Sequence, residues 1–321
     1  MRLPSFVACL LVSGLLSGSP DARSAEVQYY DVPRGAHPHD VAADPRPGGP
    51  VWYTAQLQGA LGRLDPATGD VLQIPLGQGS RPHGVIIGPD DGLWVTDGGL
   101  NAIVRVDPRT HAVQVFPLPI EDNANLNTAA FDGKGILWFT GQAGYHGRVD
   151  PATGKVEVWA SPRGRGPYGI TSTPSGEVYY ASLAGNHIAR IDTKTGQATP
   201  IEPPTARQGA RRVWSDSKGR VWVSYWNAGK VAAYDPRKGT WQEWTLPGKT
   251  PRAYSVWVDA DDKVWLTDFE ANAIVRFDPA SERFDSYPSN RQTAAVRQML
   301  GRKGEAWGAE SGTDRLVVVR D

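Results

Sequence analysis

The sequence predicts an all-β protein: a seven-bladed β-propeller of four-stranded blades, the last blade closed by the N-terminal strand. Three observations carry this expectation. An aromatic residue at the centre of a short apolar run recurs at Trp52, Trp94, Trp138, Tyr179, Trp222, Trp265 and Trp307, spaced 41 to 44 residues apart. An independent column of aspartates at Asp65, Asp107, Asp150, Asp192, Asp235 and Asp278 keeps the same period, with Pro next in five of the six. The final unit lacks the fourth alternating run of the others, while an unpaired run of that kind, Val27 to Val32, stands near the N-terminus. Four-stranded blades have repeats of about this length, whereas helical repeats would need a 3.6-residue periodicity that is absent.

The stretch Arg81 to Pro108 displays the unit. A β-branched run (Val85 to Ile87) is followed by a turn (Gly88 to Gly92), a Trp-centred run (Leu93 to Thr96), a second turn around Gly98, Gly99 and Asn101, and an alternating run (Ile103 to Val106) that stops at Asp107-Pro108. These are three strands joined by turns. A fourth run follows in each unit, as at Val71 to Pro75, Val113 to Leu118, Val156 to Trp159 and Trp241 to Leu246. The seventh unit stops at its third run, Arg315 to Arg320, so the simplest closure adds Val27 to Val32 as its outermost strand and hides the exposed edge.

The N-terminus reads as a secretory signal peptide, residues 1–25, leaving one propeller domain over 26–321. Arg2 precedes an apolar stretch, Phe6 to Leu16, and small residues end it at Ser24-Ala25. The apolar run is too short to span a bilayer, so an exported protein, periplasmic or secreted, with no membrane anchor is expected. Cys9, the single cysteine, lies inside that run, in a poor setting for lipidation. Disulfides, thiolate metal sites and a cysteine nucleophile are thereby excluded from the mature chain. The 36 Gly and 26 Pro are spread evenly, and the 34 basic residues balance 34 acidic ones. No strong field for nucleic acid or anionic membrane follows from that balance.

Aligning the units on the aromatic column picks out two variable columns. Just before the first strand stand His39, His83, Asn127, Tyr168, Arg211, Tyr254 and, with a one-residue slip, Arg297. Three residues after the aromatic stand Ala55, Asp97, Gly141, Ser182, Tyr225, Asp268 and Glu310. Variation among otherwise similar repeats marks where a propeller can place an asymmetric site in its central channel, because packing does not demand those side chains.

The units P-H-G-V…G-L-W-V-T-D…N-A-I-V-R-V-D-P and P-R-A-Y-S-V…K-V-W-L-T-D…N-A-I-V-R-F-D-P resemble the repeats of the streptogramin B (virginiamycin B) lyase family, over essentially all of the mature chain. The resemblance implies a seven-bladed propeller and a carbon–oxygen lyase that opens an ester-linked cyclic peptide by β-elimination. In that chemistry a His removes the acidic proton next to a carbonyl, while a divalent cation, magnesium, held by carboxylates stabilises the departing ester. The family's lyases carry P-H-A-I and P-H-G-I in two adjacent late blades, with a Glu two before the second His and a carboxylate ending the following W-F strand. At those positions this chain has Tyr254, Arg297, Ala295 and Glu310. Only Glu310 matches, and an Arg is a poor base.

A closed ring has no privileged first blade, and A-H-P-H-D-V and R-P-H-G-V place His39 and His83 in adjacent units, with Asp97 ending the strand after the second. This rotated set expects His83, with His39, as the base at one channel mouth and Asp97 as a cation ligand, with Arg81 where the first metal-binding Glu would stand. The other reading is that Pro-His is a variant of the blade-start turn, as Pro167-Tyr168 is. The expected metal candidates are Asp97, Glu310 and Asp268, and the expected substrate-binding residues are Tyr254, Arg297, Arg211, Tyr168 and Asn127. Arg211, Arg212, Arg252 and Arg297 either pair with Asp268 and Glu310 or clamp an anion. His37, His111, His146 and His187 are expected in solvated loops or outer turns. A small molecule or cyclic peptide in the central channel of a monomer is the expected partner, with no haem and no nucleotide. The alternative function is a non-catalytic propeller that binds a ligand or a protein.

Overall fold

The computed structural model describes residues 25–320. The signal-peptide expectation, residues 1–25, lies outside them except for Ala25. Among the described residues the chain forms seven four-stranded antiparallel sheets and no α-helix, arranged as the blades of a closed ring. The innermost strands are Pro38–Ala43, Pro82–Ile87, Leu126–Phe131, Pro167–Ser172, Ala210–Ser215, Ala253–Val258 and Val296–Met299. Each packs against the innermost strands of both neighbouring blades, including the first against the last. No described helix is long and apolar enough to cross a membrane.

The expected closure holds. Strand Glu26–Asp31 pairs antiparallel with Arg315–Arg320, from Glu26 opposite Arg320 to Asp31 opposite Arg315. The Tyr30 ring lies 5.4 Å from that of Trp307, and its hydroxyl donates to the Pro66 carbonyl of the first blade. The Asp314 carboxylate accepts from the backbone N–H of Gly35 and His37, each at 2.8 Å, so the two ends of the chain are tied across one turn.

Both sequence columns have physical causes. None of the seven aromatics is more than 3% exposed, and they fill the spaces between blades. A buried indole must place its N–H, and four do so on an aspartate of the preceding turn, as Trp138 does on Asp132 and Trp222 on Asp216, each at 2.9 Å, while Trp307 uses Glu305 of its own strand. Truncating such a Trp to Ala removes on the order of 3–5 kcal/mol. The aspartate column builds Asx turns: Asp107 Oδ1 accepts from the N–H of Arg109 and Thr110, and Asp150 Oδ1 from that of Ala152. The residue between needs no N–H, which admits Pro.

Every innermost strand carries a β-bulge near its start, and in five of the seven blades a Thr or Ser hydroxyl two residues after the aromatic is set against it. Thr96 Oγ1 accepts from the bulged Gly84 N–H at 2.8 Å and donates to the Asn127 carbonyl of the next blade at 2.6 Å. Thr54 does the same between Asp40 and His83, and Ser224 between Arg212 and Tyr254. Thr140 donates likewise to the Tyr168 carbonyl. The acceptors are members of the variable first column, so the stitch that joins the blades also positions the channel residues.

Two histidines correct the expectation of solvated loops. His146 and His187 are buried, His146 donating from Nε2 to the Gly196 carbonyl at 2.8 Å and His187 bonding the Gly185 carbonyl at 3.0 Å. Both stand beside turn glycines in sequence, yet both belong to third strands, where alternation turns the ring toward the neighbouring blade. His37 and His111 do lie in turns, each with a positive φ.

Two outcomes check this architecture. Deleting Glu26–Pro33 strips one blade of its edge and unties the termini, and thermal unfolding should shift down by roughly 5 °C or more. Thr96→Val leaves the bulged Gly84 N–H and the Asn127 carbonyl without a partner, and denaturant unfolding should show a loss of about 1–3 kcal/mol.

Candidate functional site

Because the innermost strands run in one direction, their first residues crowd one mouth of the channel and their last residues the other. The far mouth is a funnel of about 590 Å³ lined largely by apolar residues, among them Ile87, Phe131, Trp214, Trp257 and Leu300. The near mouth carries the ionisable groups. Pairing of Val296 with Glu310, matching Ala253 with Asp268 and Pro82 with Asp97, puts Arg297 in the same column as Tyr254 and His83.

The channel is braced at its middle by a charge pair that sequence reasoning missed. Arg212 of blade five reaches across the axis to Asp40 of blade one at 3.1 Å and to the Thr128 hydroxyl of blade three at 2.5 Å. Both ions are buried. Burial pushes the Asp40 carboxyl up, and the Arg212 guanidinium pulls it back down. A signal for the pair exists one residue after the first column, which reads Asp40, Gly84, Thr128, Gly169, Arg212, Ser255 and Gln298. Its only two charged members are the two that meet.

His39 and His83 come together as the rotated set expected, their ring centroids 3.8 Å apart. They are, however, buried. His39 Nδ1 bonds Asp40 at 2.8 Å. His83 Nε2 accepts from the Asn127 amide at 3.2 Å, and its Nδ1 has no partner among the described residues. Burial, with Arg297 and Arg212 for His39 and with the neighbouring His39 for His83, holds both well below the usual imidazole range. Both are neutral near pH 7.

Above them lies an aromatic and guanidinium cluster. Tyr168 and Tyr254 share a hydroxyl–hydroxyl bond of 2.8 Å across blade five. Arg211 donates to the Tyr168 hydroxyl at 2.8 Å, and its guanidinium carbon sits 3.7 Å from the Tyr254 ring centroid and 4.6 Å from that of Trp226. Arg297 donates from Nε to Ser311 at 2.7 Å and stands 3.5 Å from the Tyr254 hydroxyl. Arg252 covers the outer face of Trp226 at 5.4 Å. Among the described residues, Arg211, Arg252 and Arg297 form no ion pair with a carboxylate, so the expected pairing with Asp268 and Glu310 is absent. Those carboxylates are engaged elsewhere. Asp268 accepts from the N–H of Arg252, Glu270 and Ala271, and Glu310 bonds Arg315, Ser289 and Thr313.

The structure therefore brings together His39, His83, Asn127, Tyr168, Arg211, Tyr254 and Arg297, and leaves the second column to the turns. Asp97 accepts from the Ser80 hydroxyl and from the N–H of Arg81, Gly99 and Leu100. Magnesium takes oxygen donors in an octahedral shell. Asp97, Asp268 and Glu310 sit in three different blades, each bonded to its own surroundings, and among the described residues they form no such cage. The one group of potential ligands that converges among the described residues is His39, Asp40 and His83, all within 4.8 Å. Two imidazoles and a carboxylate already paired with Arg212 do not fit magnesium either.

Comparison with known proteins agrees with this architecture. Residues 21–277 match the virginiamycin B lyase family. A virginiamycin B lyase from Nocardia farcinica is 32% identical over 186 residues, covering 57% of this chain; the chain spans only 60% of that relative's length. The crystal structure of virginiamycin B lyase from Staphylococcus aureus superposes with a TM-score of 0.85 at 20% identity, covering 93% of this chain and 100% of that one. A catalytically inactive variant of the same enzyme with quinupristin gives 0.83 at 20% identity, with the same coverage. At that identity these structures speak for the fold alone, and the family match over most of the chain is what assigns it. The chain belongs to the virginiamycin B lyase family.

Proposed function

We propose that the protein is an exported carbon–oxygen lyase that opens an ester-linked cyclic peptide, or a related ester with an acidic proton next to a carbonyl, at the arginine-lined mouth. The observation that carries this reading is Arg211 and Arg297, half-buried and without a carboxylate partner among the described residues. β-Elimination of such an ester releases a carboxylate. A guanidinium offers that group a bidentate, charge-assisted partner worth more than a neutral hydrogen bond. In this reading the positive charge at the departing ester comes from side chains, since the site's donors do not suit magnesium. The substrate is a small molecule or cyclic peptide at the channel of a monomer, bound by Tyr168, Tyr254, Asn127 and the arginines.

A second reading, a propeller that binds a carboxylate ligand without turning it over, is favoured by the same unpaired arginines and by the burial of His39 and His83. Liquid chromatography with tandem mass spectrometry after incubation with quinupristin separates the two, because an opened ring differs from a closed one in retention and fragmentation. Ring opening by elimination gives a linear product of unchanged mass, whereas hydrolysis adds one water and simple binding leaves the ring closed.

Two further outcomes are expected. A linear peptide acid of the kind elimination releases should bind more weakly as salt rises, and Arg297→Gln should raise its Kd roughly 10-fold by isothermal titration. Protein recovered from the periplasm or medium of the producing cell should begin near Glu26, as N-terminal sequencing would read directly.

A further inference from the structure

Elimination needs a proton acceptor, and the two residue sets at the mouth offer different ones. His83 is neutral and therefore able to accept, but burial and its neighbour make it weak, and the one ring nitrogen with a lone pair to offer is engaged by Asn127. Tyr254, buried like His83, occupies the column position where the family's lyases carry a His. Its hydroxyl is held by Tyr168 of blade four, and its ring is stacked on Phe269 at 4.6 Å and set edge-on to Trp226 at 5.9 Å. The charged and titratable groups facing it are Tyr168, Arg211 and Arg212 from blades four and five, and Arg297 from blade seven. Arg252 lies beyond Trp226, and His83 stands behind Tyr168 at 6.4 Å. Three of these guanidiniums approach the phenol ring within 6 Å, at 3.7, 5.8 and 5.9 Å from its centroid. Among the described residues, the carboxylate that reaches this group is Asp40, and it is already shared by Arg212 and His39.

An anion at the phenol oxygen is what this arrangement of cations lacks. We propose that Tyr254, as a phenolate held by the Tyr168 hydroxyl, is the proton acceptor of the elimination; this rests on the lyase reading above. Burial opposes ionisation of Tyr254, but Arg211, Arg212 and Arg297 outweigh it and pull the group down to about 8. Burial and the neighbouring Tyr254 push Tyr168 upward, so Tyr168 keeps its proton and donates it toward its partner. The pair releases one proton as a unit. Near neutral pH the ionised minority of sites would carry a stronger base than a depressed imidazole.

The step balances without a further reactant. The phenolate oxygen takes the proton from the carbon next to the carbonyl, and the C–H electron pair becomes the new carbon–carbon double bond. The C–O bond on the adjoining carbon breaks, its electrons leaving with the ester as a carboxylate onto Arg297. Tyr254, now a neutral phenol, returns its proton to solvent.

Ultraviolet difference absorbance of tyrosinate, followed from pH 6 to 10 on the wild-type protein, tests the acceptor independently of turnover. One tyrosinate should form with a midpoint near pH 8. It should be missing in Tyr254→Phe and moved up by roughly one unit in Arg297→Gln. Tyrosinate that appears only above pH 10 in the wild type, or a low midpoint that survives Tyr254→Phe, overturns the proposal. Where quinupristin is turned over, Tyr254→Phe should lower kcat about 100-fold or more with KM little changed, and the wild-type rate should climb with pH to a plateau above 8. His83→Gln should lower kcat far less than Tyr254→Phe does. The opposite ranking of the two variants overturns the proposal. A wild-type protein that leaves the ester intact removes the lyase reading, and the absorbance titration alone then decides whether Tyr254 ionises.

Discussion

One hydrogen-bonded contact recurs at four of the seven junctions between neighbouring blades, and the site is built on it. A Thr or Ser hydroxyl accepts from a bulged N–H of its own innermost strand and donates to a carbonyl of the next, as Thr54, Thr96 and Ser224 do. A bulge would otherwise leave that N–H buried and unpaired, at a cost comparable to a lost hydrogen bond. Joining two such groups through one hydroxyl satisfies both and sets the spacing of the strands around the axis. The carbonyls chosen belong to His83, Asn127, Tyr168 and Tyr254, so the contact that joins these blades also holds the backbone of the site.

Electrostatics divides the channel into layers. At its middle Arg212 and Asp40 compensate one another, and breaking such a buried pair from one side is far more damaging than its net contribution suggests. Next to it His39 and His83 are neutral because burial and nearby guanidiniums disfavour a further positive charge. At the mouth the balance fails: among the described residues, Arg211 and Arg297 have aromatic faces and hydroxyls around them but no carboxylate. Aromatic rings can hold a cation by their quadrupole, and they leave it free to attract an anion. The virginiamycin B lyase scaffold is thus kept here with a mouth whose chemistry differs from the family's His and carboxylate pattern.

Much of the fold was legible along the chain. The aromatic and Asp columns mark the blades because each serves a recurring need: filling an inter-blade space in all seven, and ending a strand in an Asx turn in six. The closing strand was legible because an unpaired run at one end matched a missing run at the other. The first variable column also located the mouth, including Arg297 across its one-residue slip. His146 and His187 were misjudged because neighbouring glycines read as turns, while strand alternation, not distance from a turn, decides which side chains are buried.

The sequence by itself determined the architecture, since periodic contacts are local and repeat, and it narrowed the site to one residue per blade. Only the tertiary structure decided which of those residues meet and in what state of charge. Asp40 and Arg212 are 172 positions apart, and Tyr168 and Tyr254 are 86 apart. Nothing local relates them. Their contacts arise because a ring brings the starts of all seven innermost strands to one axis, and because burial there makes each charge depend on every other charge within a few ångströms.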